Sequence, residues 1–126
     1  MPKYPFSAPG AAPPIGPYSP AVAISGFVFL SGQIPVDADG NVVGATAPEQ
    51  ARQAMDNLRG LVRNTGLSMS DVVKTTIFLT DMGDFAKVNE VYAKHIGNSR
   101  PARSTVAVAG LPKGVQVEIE CVARVG

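Results

Sequence analysis

The run from Val115 to Val125 alternates almost without a break: Val115, Val117, Ile119, Cys121, Ala123 and Val125 fall at odd positions, with Gln116, Glu118, Glu120, Val122 and Arg124 between them. Successive side chains of a strand point to opposite faces, so this pattern predicts a strand with one buried face and one partly polar face. Such a strand belongs in a sheet covered on one side only. Two amphipathic stretches supply the cover. Residues 51, 54, 55, 58, 61, 62 and 65, all apolar except Thr65, recur at helical spacing behind Thr46-Ala47-Pro48-Glu49, which has the form of a capping box, and Gly66 closes that helix. Phe85, Val88, Tyr92 and Ile96 form a second stripe, capped by Asp81 or Asp84 and stopped at Gly97.

The remaining strands follow from β-branched and aromatic runs bounded by turn residues. Ala21 to Ile34 reads as two strands about Ser25-Gly26, the second from Phe27 to Gln33. Val72 to Leu79 is too short and too β-branched for a helix, and Ala102 to Ala109 joins the final strand through Gly110-Leu111-Pro112-Lys113-Gly114. Asp37-Ala38-Asp39-Gly40-Asn41 is a chain reversal. The expected architecture is α+β, about five strands in a mixed sheet with two helices packed on one face. The other face, with Val122 among its polar residues, leaves apolar area exposed and suggests subunit association, with a cleft between subunits as a ligand site.

Seven of the eleven prolines, at positions 2, 5, 9, 13, 14, 17 and 20, occupy the first twenty residues. Proline fixes φ and removes a donor, so residues 1–20 are expected to form an extended arm. Its apolar residues Tyr4, Phe6, Ile15 and Tyr18 argue that it lies against the body. A length of 126 residues suits one domain over residues 1–126, able to bury about two-thirds of its unfolded surface. A net charge of +1 with scattered cations gives no footprint for a phosphate backbone. No stretch approaches the roughly 18 apolar residues that span a bilayer. A single cysteine and a Met-Pro-Lys-Tyr-Pro start without a signal-peptide pattern suit the cytosol.

Few residues invite chemistry. Arg103 lies near the start of a strand, on the face opposite Ser104, Val106 and Val108, among small and β-branched neighbours. A guanidinium fork matches a carboxylate, either that of a ligand or that of Glu118 or Glu120 in an internal ion pair. Glu118 can accept a proton if partial burial raises its pKa, and spacing does not separate it from Glu120. Tyr18 is held stiffly between Pro17 and Pro20, either as a site residue or as packing. Ser31-Gly32 offers a hydroxyl and a closely approachable backbone, or a strand-end bulge. His95, alone near a helix C-terminus, and Cys121, on the apolar face of the last strand, read as structural. Asp37, Asp39 and Asn41 imitate a calcium loop, but its sixth position is Val42 and its twelfth Pro48, so no metal site is expected.

Ile15-Gly16-Pro17-Tyr18-Ser19, Ser31-Gly32-Gln33-Ile34, Asp71-Val72-Val73-Lys74-Thr75-Thr76, Pro101-Ala102-Arg103-Ser104 and Val117-Glu118-Ile119-Glu120 together resemble the YjgF/RidA family of reactive-imine deaminases. The resemblance covers nearly the whole chain. It implies a chorismate-mutase-like fold, a homotrimer with clefts between subunits, no cofactor, and hydrolysis of 2-imino acids or their enamine tautomers to 2-oxo acids and ammonia. It further implies that Arg103 binds the substrate carboxylate, that Glu118 positions water, and that Tyr18, Ser31, Gly32 and Asn89 line the pocket. Thr105 stands where many members have cysteine; it retains a backbone N–H and a hydroxyl, so substrate preference is the property expected to change. Some relatives are described as ribonucleases or translation inhibitors. One histidine and no basic stripe argue against RNA here. A non-enzymatic carboxylate-binding or holdase-like protein would use the same cleft.

Overall fold

The computed structural model describes residues 3–6 and 14–126. Its sheet begins with β1 (Tyr4–Phe6), which pairs antiparallel with β2 (Ala21–Ile24). Ser25 and Gly26 both take positive φ, 51° and 84°, the twist of a tight hairpin, and lead into β3 (Phe27–Gln33). After a loop the chain enters α1 (Ala47–Asn64), then β4 (Val72–Leu79), α2 (Phe85–Ile96), β5 (Ala102–Ala107) and β6 (Val117–Arg124). Strand order is β1-β2-β3-β6-β4-β5. Only β4 and β5 are parallel, because a helix crosses over between them; β6 lies antiparallel between β3 and β4. The sheet is therefore mixed, and both helices cover one face of it.

The core lies between that face and the helices. Val117, Ile119, Cys121 and Ala123 of β6 meet Met55, Leu58 and Val62 of α1 and Val88 of α2, all buried. Each fully buried Leu or Met contributes about 1.5–3 kcal/mol by leaving water. Cys121 is indeed a core thiol: burial first, and then the Glu120 carboxylate, push its pKa up to about 12. His95 ties the two helices together, its Nδ1 2.9 Å from the Val91 carbonyl and its Nε2 3.3 Å from Asp56 Oδ1.

Several expectations need correction. The sheet has six strands rather than five, the extra one coming from the arm. Pro5 is tolerated in β1 because an edge strand leaves one row of donors unused. Of the arm's apolar residues, Phe6 packs on the core, but Ile15 and Tyr18 are exposed, at 63% and 50%. Gly16-Pro17 turns there, with the Tyr18 N–H donating to the Gly16 carbonyl, and the segment makes a rim rather than a strand. The side chain of Tyr4 and the arm at residues 1, 2 and 7–13 lie outside the described residues. The capping box is half formed: the Glu49 N–H donates to Thr46 Oγ1, but the Glu49 carboxylate accepts from Ala45 instead of Thr46. Asp81 caps a single 3-10 turn, Met82–Asp84, that precedes α2, whereas Asp84 makes no side-chain cap. β5 ends two residues earlier than its apolar run, and β6 starts two later. No helix among the described residues is long and apolar enough to cross a membrane.

Candidate functional site

Strand register divides the predicted residues into two groups. In the β4 ladders Thr75 lies opposite both Arg103 and Cys121, while Phe78 lies opposite both Val106 and Glu118. Directly paired residues share a face, so Arg103 stands on the helix-covered face and Glu118 on the open one. The internal ion pair between Arg103 and Glu118 or Glu120 is thereby excluded within one chain. The observed ion pairs among the described residues do not include Arg103.

The first group is built on β5 and α2. Arg103 is half-buried, and its Nη1 donates to Asn89 Oδ1 at 2.6 Å. Its guanidinium carbon lies 5.0 Å from the centre of the Tyr92 ring and 5.6 Å from that of Phe85, close enough for attraction to the ring quadrupoles. Tyr92 is fixed in turn by a buried hydrogen bond of 2.7 Å between its hydroxyl and Thr75 Oγ1. Burial raises the Tyr92 pKa against the opposing effects of Thr75 and Arg103, which keeps the phenol neutral beneath the cation. Asn89 uses one of five guanidinium N–H groups. The rest of the fork can meet a ligand in the adjoining cavity of about 580 Å³, which Asn89, Tyr92, Ile96 and Arg103 help to line.

The second group is built on the end of β3 and on β6. The pairing of β3 with β6 shifts register between Leu30 and Gln33, so Ser31 and Gly32 form an irregularity in the ladder. Its free groups are tied to the arm: the Ser31 N–H donates to the Pro20 carbonyl and Ser31 Oγ to that of Ser19, each at 2.8 Å. Glu118 lies directly against Gly32. A methyl group on Gly32 would sit 2.8 Å from Glu118 Cδ and 3.0 Å from Cγ. Gly32 also borders a cleft of about 710 Å³, together with Tyr18, Ile34, Asn57 and Lys113. Burial, and then the neighbouring Glu120, raise the Glu118 pKa above its ordinary value.

That shift has a sign. The folded chain holds the Glu118 proton more tightly than the unfolded chain, so this carboxyl favours folding at low pH, and the contribution is lost as pH rises through the folded-state value. Glu118→Gln escapes the loss. The variant should melt above the wild type at about pH 7.5 and converge with it near about pH 4, where both side chains are neutral. Parallel thermal melts across that range test it; an advantage that grew toward acid pH would contradict the assignment.

Thr105 is opposite Ile77 and shares the Arg103 face, but its Oγ1 is buried and has no hydrogen-bond partner among the described residues. The expected hydroxyl is therefore turned away from solvent. An unsatisfied buried hydroxyl costs about 1–3 kcal/mol, and an isosteric apolar side chain removes that cost. Thr105→Val should raise stability by about 1 kcal/mol in urea titrations; an equal loss would show that the hydroxyl has a partner.

Three contributors were not foreseen. Tyr92 and Phe85 read as core stripe, with no signal that their rings also carry Arg103. Asn57 bonds the Ile34 and Val36 carbonyls at 3.0 and 2.8 Å and so fixes the wall of the larger cleft; its apolar neighbours on α1 gave only helix periodicity.

Both the sequence and the fold have counterparts among known proteins. Residues 9–125 match the family model described as endoribonuclease L-PSP. A RutC family protein of Pyrococcus horikoshii is 47% identical over 114 residues, 90% of each chain. Human 2-iminobutanoate/2-iminopropanoate deaminase is 43% identical over 120 residues, 94% of this chain and 85% of the human one. The crystal structure of Escherichia coli TdcF with bound serine superposes with a TM-score of 0.90 at 40% identity, over 98% of this chain and 99% of that one.

Proposed function

Since the chain belongs to the endoribonuclease L-PSP family, also called YjgF/RidA, we propose that it is a cytosolic deaminase that hydrolyses 2-iminopropanoate, 2-iminobutanoate and their enamine tautomers to 2-oxo acids and ammonia. The observation that carries this reading is the split of two complementary half-sites over two faces of the sheet. One offers an unneutralised guanidinium held by Asn89 and two rings; the other offers a carboxylate with a raised pKa against a bare backbone. Neither completes a site alone. The open face also exposes Phe27, Phe29 and Val106 around Glu118 and Glu120, an apolar surface suited to a second copy. In a homotrimer the open face of one copy meets the β5 edge of the next, and three clefts result.

In such a cleft the Arg103 fork takes the substrate carboxylate. The Gly32 backbone approaches it closely, and Tyr18 and Ser31 form the rim. Glu118 accepts a proton from water as the oxygen bonds to the imine carbon, and passes it to the nitrogen, giving the carbinolamine. The carbinolamine hydroxyl proton then moves by way of Glu118 to the amine as the C–N bond breaks, so ammonia leaves, the C=O of the 2-oxo acid forms and Glu118 is again a carboxylate. Positioning and charge supply the acceleration. The test is ammonia release from imines made by a generating enzyme, measured with and without the protein; equal rates would refute the reading. RNA cleavage, suggested by the family description, is disfavoured by Glu118 and Glu120, which repel a phosphodiester.

A further inference from the structure

Arg103 shares its cavity with a second cation. Arg100 lies on the connection between α2 and β5 and lines the same space of about 580 Å³ as Asn89, Tyr92 and Arg103. No acidic side chain lines that space among the described residues. Arg100 is exposed and takes part in none of the observed ion pairs among those residues. Its backbone is left-handed, with φ 46° and ψ 54°, a conformation disfavoured for any residue with a Cβ. The residue before a proline avoids the right-handed helical region, so the helical path ends here. The chain takes a strained turn that leaves the Arg100 side chain at the cavity. Pro101 then fixes the following φ, and the pairing of Ala102 with Lys74 sets the start of β5. The Cα positions from which the two arginine side chains reach the cavity are thus held by the backbone.

Two guanidiniums are one more than a monocarboxylate such as 2-iminopropanoate can use, and without an anion between them they repel. We infer that the site accepts 2-imino dicarboxylates, the imines of acidic amino acids, with Arg103 on the carboxylate beside the imine carbon and Arg100 on the carboxylate at the far end. This rests on the reading of Arg103 given above and names the class of substrate that fits it best. A solvent-facing guanidinium remains screened, so the preference is moderate and depends on salt.

The test has two arms. In calorimetry at low salt, 2-oxoglutarate should bind the wild-type protein about five- to tenfold more tightly than 2-oxobutanoate. Arg100→Gln should bring that ratio close to one, while Arg100→Lys, which keeps the charge, retains most of it. In the coupled assay the ratio of kcat/KM for the glutamate-derived imine to that for the alanine-derived imine should fall in parallel. A wild-type preference for the monocarboxylate, or a ratio that Arg100→Gln leaves unchanged, overturns the inference. If no imine is accelerated but the binding ratio still depends on Arg100, the dicarboxylate site stands and the hydrolytic reading falls. If imines are accelerated with a ratio independent of Arg100, the hydrolytic reading stands and this inference falls.

Discussion

Arg103→Ala should lower kcat/KM for 2-iminopropanoate by about 10²–10³-fold, the usual loss when one preorganised charged donor is removed from a reacting centre. Its fold should survive. The side chain is half-buried at a strand that forms the edge of the sheet, and its only hydrogen-bond partner among the described residues, Asn89, also lines the cavity, where water can replace the lost donor. Stability is therefore expected to change by no more than about 1 kcal/mol. Arg103→Lys should rescue little. An ammonium is a point donor on a flexible stem and cannot keep Asn89 in place while offering a planar fork to a carboxylate. Coupled ammonia release, with circular dichroism and sedimentation to confirm fold and assembly, measures both effects. Wild-type turnover in a folded alanine variant would remove Arg103 from the mechanism.

Gly32→Ala probes the other half-site with a single methyl group. Gly32 lies outside the left-handed region, so alanine meets no backbone penalty. The new Cβ would nevertheless crowd the Glu118 side chain, with its Cδ at 2.8 Å, and that side chain must move. Because the obstacle is the end of a flexible chain, the move is cheap in stability, and the melting temperature should stay within about 3 °C of the wild type. Activity is another matter. A carboxylate displaced by about 1 Å from its water can cost about 10²-fold in rate. The expected outcome is a well-folded protein with little deaminase activity, read by melting and turnover on the same preparation. A variant that melted early and lost activity in proportion would point to a structural role for the Gly32–Glu118 contact instead.

Much of the fold was legible because the core imposes its period on the chain. The limits of β3 and β4, the stripes of α1 and α2 and the alternation of β6 all follow from which residues must leave water together. The arm strand was not legible: three residues containing Pro5 carry no period, and their pairing with β2 is a long-range event. The half-formed capping box failed for a similar reason, since the carboxylate of Glu49 chose between two N–H groups one residue apart. In the site, alternation placed Arg103 and Ser104 on opposite faces, but it did not reveal whether the Arg103 partner would be a carboxylate or Asn89. That depended on which face α2 covers. The contact of Glu118 with Gly32 crosses a register shift, where counting residues along a strand no longer predicts neighbours.

The division of half-sites between the two faces of one sheet also bears on how this sequence can change over time. Within a single chain Glu118 and Arg103 are screened from each other by the sheet itself, so a substitution near one exerts no direct pressure on the other. In the proposed ring they meet across a boundary between identical copies, and every change is made on both sides of that boundary at once. Positions around Gly32 and Glu118 would then be expected to covary with positions around Arg103 and Asn89 although no contact joins them in the monomer.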